Sequence, residues 1–142
     1  MLDGRHSVSV AGVVVDERGR ALLMQRRDNG HWEAPGGILE QGESIVAGVQ
    51  REVLEETGLL VTPVGLTGVY KNIVRSIVAL VFRCTVDGGV LTPSEESKAF
   101  YWATVEEVRT LANEAFAVRV VDAMAHHATV PIRHHDGVRI IG

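Results

Sequence analysis

Glu52, Glu55 and Glu56 fall at i, i+3 and i+4, a spacing that gathers three carboxylates on one face of a helix. Like charges so placed repel by about 0.2–0.5 kcal/mol per pair. A helix that needed only solubility would alternate its signs, so something positive is expected against this face. A hard divalent cation with oxygen ligands is the natural counter-charge. Arg51 adjoins Glu52 and lies four residues before Glu55, within reach to hydrogen-bond a carboxylate and hold its orientation. Glu43 is its expected further partner, and Glu40 is read as peripheral.

The frame is longer than the cluster. Gly37, Glu43, Arg51, Glu52, Val53, Glu55, Glu56, Gly58 and Leu59 fill all nine fixed places of a 23-residue signature, and the segment resembles the catalytic box of the Nudix hydrolases, in particular the MutT-like branch. That resemblance implies water attack on an internal phosphorus of a nucleoside diphosphate linked to another moiety. It implies Glu52, Glu55 and Glu56 as metal carboxylates, a backbone carbonyl at Gly36 or Gly37 completing the shell, and as general base either Glu52, as in the MutT-like branch, or a loop carboxylate, as in other branches. Arg51 and Glu43 would then support the catalytic carboxylates. With no His or Cys at the box, Mg²⁺ or Mn²⁺ is expected over zinc. Glu96, six residues before Trp102, matches a further metal-associated glutamate of MutT-like proteins, with Glu95 as its competitor.

Substrate choice is less sharply written. The place where ADP-ribose hydrolases of the family tend to have proline holds Val74, and the tyrosine of dinucleoside polyphosphate hydrolases is absent, the nearest being Tyr70. What remains is the insertion-free plan of nucleoside triphosphate hydrolases. Ala112-Asn113-Glu114 resembles the MutT tripeptide whose asparagine reads an oxidised guanine, a task an amide suits because it donates and accepts. Asn113 could equally only separate two helices. Tyr70, Lys71 and Arg75, in a short linker, are candidates to contact base or phosphate. Trp32 could stack on a base or pack beneath the loop that follows it. The leading expectation is a nucleoside triphosphate, oxidised forms such as 8-oxo-dGTP included. Alternatives are ADP-ribose, nucleotide-sugar or dinucleoside polyphosphate hydrolysis and, in another class, a non-catalytic nucleotide sensor.

These residues need a scaffold. Ser44 or Glu43 starts the central helix and Gly58 ends it. Its wheel predicts an apolar flank of Val46, Ala47, Val49, Val53 and Leu54, with the glutamates opposite. Val8 to Val15 and Ala21 to Met24 read as a hairpin or adjacent strands. Leu59 to Val69 and Ile77 to Val86 read as strands, with residues 70–75 as the linker between them and Asp87-Gly88-Gly89 as a turn. A further strand spans Lys98 to Trp102. Thr104 to Glu107 is a capping box opening a helix to about Leu111, and Ala115 to His126 carries a second helical period. Phe100, Trp102, Phe116 and Met124 read as core. The sum is a single α/β domain over residues 1–142, an α/β/α sandwich with a mixed sheet flanked by helices. Its core is expected at about 8–127, with a polar tail at 128–142.

Bulk properties exclude other classes. The chain has 142 residues, a formal charge of −4 and 46% hydrophobic residues, which leaves no basic footprint for duplex nucleic acid. No apolar stretch approaches a membrane span, and MLDGRHSV lacks a signal-peptide pattern, so a cytoplasmic location is expected. The single cysteine, Cys84, precludes an intrachain disulfide and reads as a core residue. The histidine pairs 126–127 and 134–135 are expected to be exposed. Homodimerisation is common in the family, but no stripe in the sequence marks it.

Overall fold

Valine-rich β1 (Ser7–Val14) is the strand on which both halves of the core are built. The computed structural model describes residues 4–142; the first three residues of the N-terminal stretch read above for a signal lie outside them. Val10 and Val14 of β1 pack with Val49, Val53, Leu59, Val61 and Cys84 on one side. Ala11 and Val13 pack on the other side with Tyr70, Val108 and Val120. Side chains alternate across a strand, so one run of small β-branched residues serves two layers.

The six-stranded sheet has the order β4-β1-β6-β5-β8-β9. It joins β4 (Gly36–Ile38), β1, β6 (Ile77–Gly89), β5 (Leu59–Asn72), β8 (Ile132–His135) and β9 (Ile140–Ile141). β1 pairs in parallel with β6, and β5 with β8, while the other pairings are antiparallel. A second sheet holds β3 (Trp32–Glu33), β2 (Ala21–Arg26) and β7 (Ser97–Ala103). Helix α1 (Ile45–Thr57) packs on β1 and β5; α2 (Val105–Leu111) and α3 (Glu114–Met124) cover the opposite side, α3 against β5 and β6. The mixed sheet flanked by helices is the expected architecture.

Several local expectations hold and several need correction. The Ser44 Oγ caps α1 by accepting the Ala47 N–H at 3.1 Å, and Gly58 ends it at φ 81°, a left-handed conformation that glycine adopts without a Cβ clash. The Thr104–Glu107 capping box is present. β1 and β2, however, share only the bridge Val15↔Ala21 before parting into different sheets. The linker after Val69 is half strand: β5 runs on through Tyr70, Lys71 and Asn72, and the turn occupies residues 73–76. Likewise β6 continues through Asp87 to Gly89.

The C-terminal segment is not a tail. β8 adds to β5 in register, Tyr70 opposite Arg133 and Asn72 opposite His135, and β9 folds back on β8. Ladder hydrogen bonds, which a polar composition does not forbid, carry it into the sheet. His135 is consequently buried, against the expectation of exposure, while His126, His127 and His134 are exposed. Cys84 is buried and its thiol is pushed up to about 12 by that burial, in keeping with a packing role. Among the described residues no helix is long and apolar enough to cross a membrane.

Candidate active site

Arg51 is the hub of the box. Its Nε and Nη2 reach the two Glu43 oxygens at 2.9 and 2.7 Å, Nη1 donates to Glu52 Oε1 at 2.8 Å, and Nη2 also donates to the Ile38 carbonyl at 3.1 Å. Glu55 and Glu40 lie further off, each 3.4 Å from Nη1. A two-point guanidinium–carboxylate contact fixes geometry as well as charge. Glu43 also accepts the Glu40 N–H at 2.8 Å, and its carboxyl is held down at about 2, chiefly by Arg51. One side chain thereby joins the end of β4, the loop before α1 and the middle of the helix.

The wheel placed the glutamates opposite the apolar flank; the structure does not. The buried residues of α1 are Gly48, Val49, Glu52, Val53, Glu56 and Thr57, while Val46, Ala47 and Leu54 are exposed. Glu52 and Glu56 thus share the sheet-facing side with Val49 and Val53, whose burial contributes about 2 kcal/mol each. The periodicity allowed either sector of the helix to turn inward. The Arg51 contacts to Glu43 and Ile38 accompany the one in which the carboxylates go under.

Gly37 is where the sheet admits them. A Cβ there would stand 2.6 Å from Glu52 Oε2, so any larger residue would have to push the Glu52 carboxylate from the place where Arg51 holds it. Glu56 lies deeper. Its Oε1 is buried with no hydrogen-bond partner. Its pKa is raised well above the usual carboxylate range, first by burial, then by a hydrogen bond with Glu52 and the negative fields of Glu52, Glu96 and Glu33. The Ser97 hydroxyl donates to the Glu56 carbonyl at 2.6 Å, anchoring this turn of α1 to β7.

A buried acidic pair with an unpartnered oxygen fits an oxygen-seeking cation, although no group of three or more His, Cys, Asp or Glu forms a ready-made cage among the described residues. Glu55 stands at the exposed edge of the helix, and Glu96 is exposed beside β7. Glu33 on β3 was missed from sequence. It is half-buried, acts on Glu56, and is paired with Arg26 Nη1 at 2.9 Å. Its only signal was its place in Trp32-Glu33-Ala34-Pro35-Gly36-Gly37, read there for backbone approach.

From Gly36 and Gly37 a cavity of about 690 Å³ runs past Trp32 and Glu33 toward Asn113, Arg119 and His135. Arg75 and Asn113 line it, but Tyr70 and Lys71 do not. Tyr70 is fully buried, and its hydroxyl donates to Asp122 Oδ2 at 2.7 Å, because β5 extends past the expected loop. Lys71 is half-buried on the same strand, opposite His134. Asn113 caps α3 by accepting the Phe116 N–H at 3.1 Å, and its amide nitrogen reaches the Gly137 carbonyl at 3.4 Å. It therefore separates two helices and also faces the cavity. Phe116, read as core, is a half-buried wall residue. Trp32 both lines the cavity and packs on the core, whereas Phe100, Trp102 and Met124 pack on the core as expected.

Comparison with known proteins bears on this site. The NUDIX domain model matches residues 5–124. A MutT-like protein of Streptomyces ambofaciens is 54% identical over 136 residues, which cover 96% of this chain and 88% of that protein. The ADP-ribose pyrophosphatase of Methanocaldococcus jannaschii is 34% identical over 99 residues, 65% of this chain and 58% of that one. Among solved structures, the MutT protein from Methanosarcina mazei Go1 aligns with a TM-score of 0.75 at 27% identity, covering 87% of this chain and 96% of that chain.

Proposed function

The chain belongs to the Nudix hydrolases and is a pyrophosphohydrolase; from that premise we propose that it takes nucleoside triphosphates, with oxidised forms such as 8-oxo-dGTP in the class, and releases a nucleoside monophosphate and pyrophosphate with Mg²⁺ or Mn²⁺. The observation that carries the metal reading is the Glu52–Glu56 pair, buried beneath Gly37 with one carboxylate oxygen unpartnered. Glu52, Glu55 and Glu56, with the Gly37 carbonyl, would hold the cation, and Glu96 would add its negative field from the periphery. A bound divalent ion would supply charge screening for the phosphates and a lowered pKa for the attacking water.

The chain's own residues do the rest. Glu52 takes the proton as a water oxygen bonds to phosphorus and the P–O anhydride bond breaks, the electron pair leaving on the departing phosphate oxygen. Arg51, through Glu43 and Ile38, keeps Glu52 in one rotamer for that transfer. Asn113 and Arg75, both on the cavity wall, are the candidate contacts to the rest of the nucleotide. The small plan and the long match to a MutT-like relative favour triphosphates.

A second reading, ADP-ribose hydrolysis, is favoured by the Methanocaldococcus jannaschii relative and keeps the same carboxylates. Hydrolysis across nucleoside triphosphates, 8-oxo-dGTP, ADP-ribose, nucleotide sugars and dinucleoside polyphosphates, with products identified by mass, tests both. Cleavage of a triphosphate to monophosphate plus pyrophosphate, dependent on Mg²⁺ or Mn²⁺ and lost in Glu56→Gln, is the expected result. Preferential release of AMP and ribose 5-phosphate from ADP-ribose would replace the first reading with the second.

A further inference from the structure

The C-terminal segment builds the far wall of the cavity. The Ala115 N–H, in the first turn of α3, donates to the Val138 carbonyl at 2.9 Å, which pins the turn after His135 over the start of the helix. Behind it Arg119 is buried, 8% exposed, yet contributes to the cavity lining. Its guanidinium carbon lies 4.7 Å from the Phe116 ring centroid and 5.2 Å from that of Tyr70. Aromatic faces tolerate the charge but accept few of its hydrogen bonds. Nη2 stands 3.2 Å from His135 Nε2, and Nε is buried with no partner. Among the described residues no carboxylate is paired with it.

His135 does not resolve the mismatch. Its Nδ1 already receives the Gly137 N–H at 3.0 Å. A neutral imidazole has one N–H and one acceptor nitrogen, whereas a guanidinium can only donate. Between Gly137 and Arg119, one of the two contacts therefore sets hydrogen against hydrogen. Protonation is no remedy, since burial and then the Arg119 charge lower the His135 pKa. Tyr70 offers Arg119 its ring face, while its hydroxyl donates to Asp122. The floor is rich in donors and short of acceptors.

A nucleotide whose pyrophosphate lies near Gly37 extends its remaining part toward this floor. We propose that Arg119, packed against His135, Phe116 and Tyr70, is a specificity-determining residue that reads the O6 and N7 acceptors on the edge of a guanine-type purine. The assignment of which end takes phosphate rests on the pyrophosphohydrolase reading above. Two adjacent acceptors on a rigid plane match the guanidinium fork; adenine sets an amino group where O6 would be, and pyrimidines lack the pair. An 8-oxo purine carries hydrogen on N7 and keeps only O6 of the two.

Calorimetric titration of the full chain with dGMP, 8-oxo-dGMP, dAMP, dCMP and ribose 5-phosphate tests this without turnover. Expected is binding of dGMP about tenfold or more tighter than of the others, the discrimination of a two-point arginine contact. Arg119→Met and Arg119→Lys should bring dGMP to within about twofold of dAMP, leaving the weaker ligands unchanged; Lys keeps the charge but not the fork. A wild-type chain without the preference overturns the proposal. So does equal weakening of all ligands, survival of the preference in Arg119→Lys, or ribose 5-phosphate or 8-oxo-dGMP binding as tightly as dGMP. If Arg119→Met does not fold, the wild-type order and Arg119→Lys decide. Monophosphates contain no anhydride, so a chain that prefers dGMP yet cleaves no triphosphate would refute the triphosphate reading and leave this one standing.

Discussion

Glu56 and Arg119 stand in opposite regions of the site, and each buries a charged group with one atom left without a partner, Oε1 in the first and Nε in the second. Their surroundings differ. Around Glu56 the neighbours are more carboxylates, Glu52, Glu96 and Glu33, and the pKa moves up. Around Arg119 they are two aromatic faces and an imidazole, and burial moves the pKa down. The acidic region crowds carboxylates in a buried place, which favours a proton or a bound cation on Glu56. The far region dilutes its charge and lacks acceptors instead. Each has a missing partner of opposite sign, and on the proposed reading a metal-bound nucleotide would supply both.

The sharpest break of that comparison is at Glu52. Glu52→Gln keeps the shape and removes the proposed base, and kcat should fall by about 10²–10⁴-fold with the melting temperature little changed. Glu56→Gln should abolish the rise in melting temperature that Mg²⁺ produces in the parent chain, since a ligand stabilises only what binds it. A preserved rise would remove Glu56 from the cation site. Next in size is Arg51→Ala, which leaves the carboxylates present but unheld. About 10–100-fold should be lost in kcat with KM nearly constant. Arg51→Lys should rescue poorly, because one ammonium cannot span Glu43 and Glu52 as the fork does.

How far the sequence reaches follows the same division. The box was legible because its chemistry is local: Arg51, Glu52 and Glu56 lie within one helix, capped by Ser44 and Gly58. Even there the wheel was right only in part: Val49 and Val53 turn inward as expected, while the equally apolar Val46 and Leu54 do not, and the Arg51 contacts to Glu43 and Ile38 accompany the sector that does. The far wall was not legible. It depends on β8 finding β5 across some sixty residues of chain, on His135 turning inward from a polar stretch, and on Arg119 lying between Phe116 of its own helix and Tyr70 of β5. Tyr70 shows the cost of a boundary error. Once β5 is extended to Asn72, a loop residue offered to substrate becomes a buried strut.

That strut ranks next. Asp122 accepts from Tyr70 and takes a two-point contact from Arg133, both bonds at 2.8 Å. Asp122→Ala strands a buried hydroxyl and a guanidinium, and stability should fall by about 3 kcal/mol, read from urea unfolding. The catalytic carboxylates lie elsewhere, so the remaining folded fraction should keep its kcat. A loss of kcat beyond the loss of folded protein would show that the two regions are coupled rather than independent.

The smallest effect expected is at Glu96, and it is the most delicate test of what belongs to the acidic region. Glu96 is exposed, Glu33 half-buried, yet both act on Glu56. If Glu96 contributes only a field, solvent and salt screen it, and Glu96→Gln should change kcat/KM by about twofold, less at high ionic strength. A fall of a hundredfold, insensitive to salt, would instead make it a cation ligand, as its spacing from Trp102 suggests. Glu33→Gln calibrates the scale, because Arg26 already neutralises part of its charge. Should Glu33 prove the more sensitive, the third carboxylate of the site comes from β3, and burial outweighs spacing in deciding which glutamate serves.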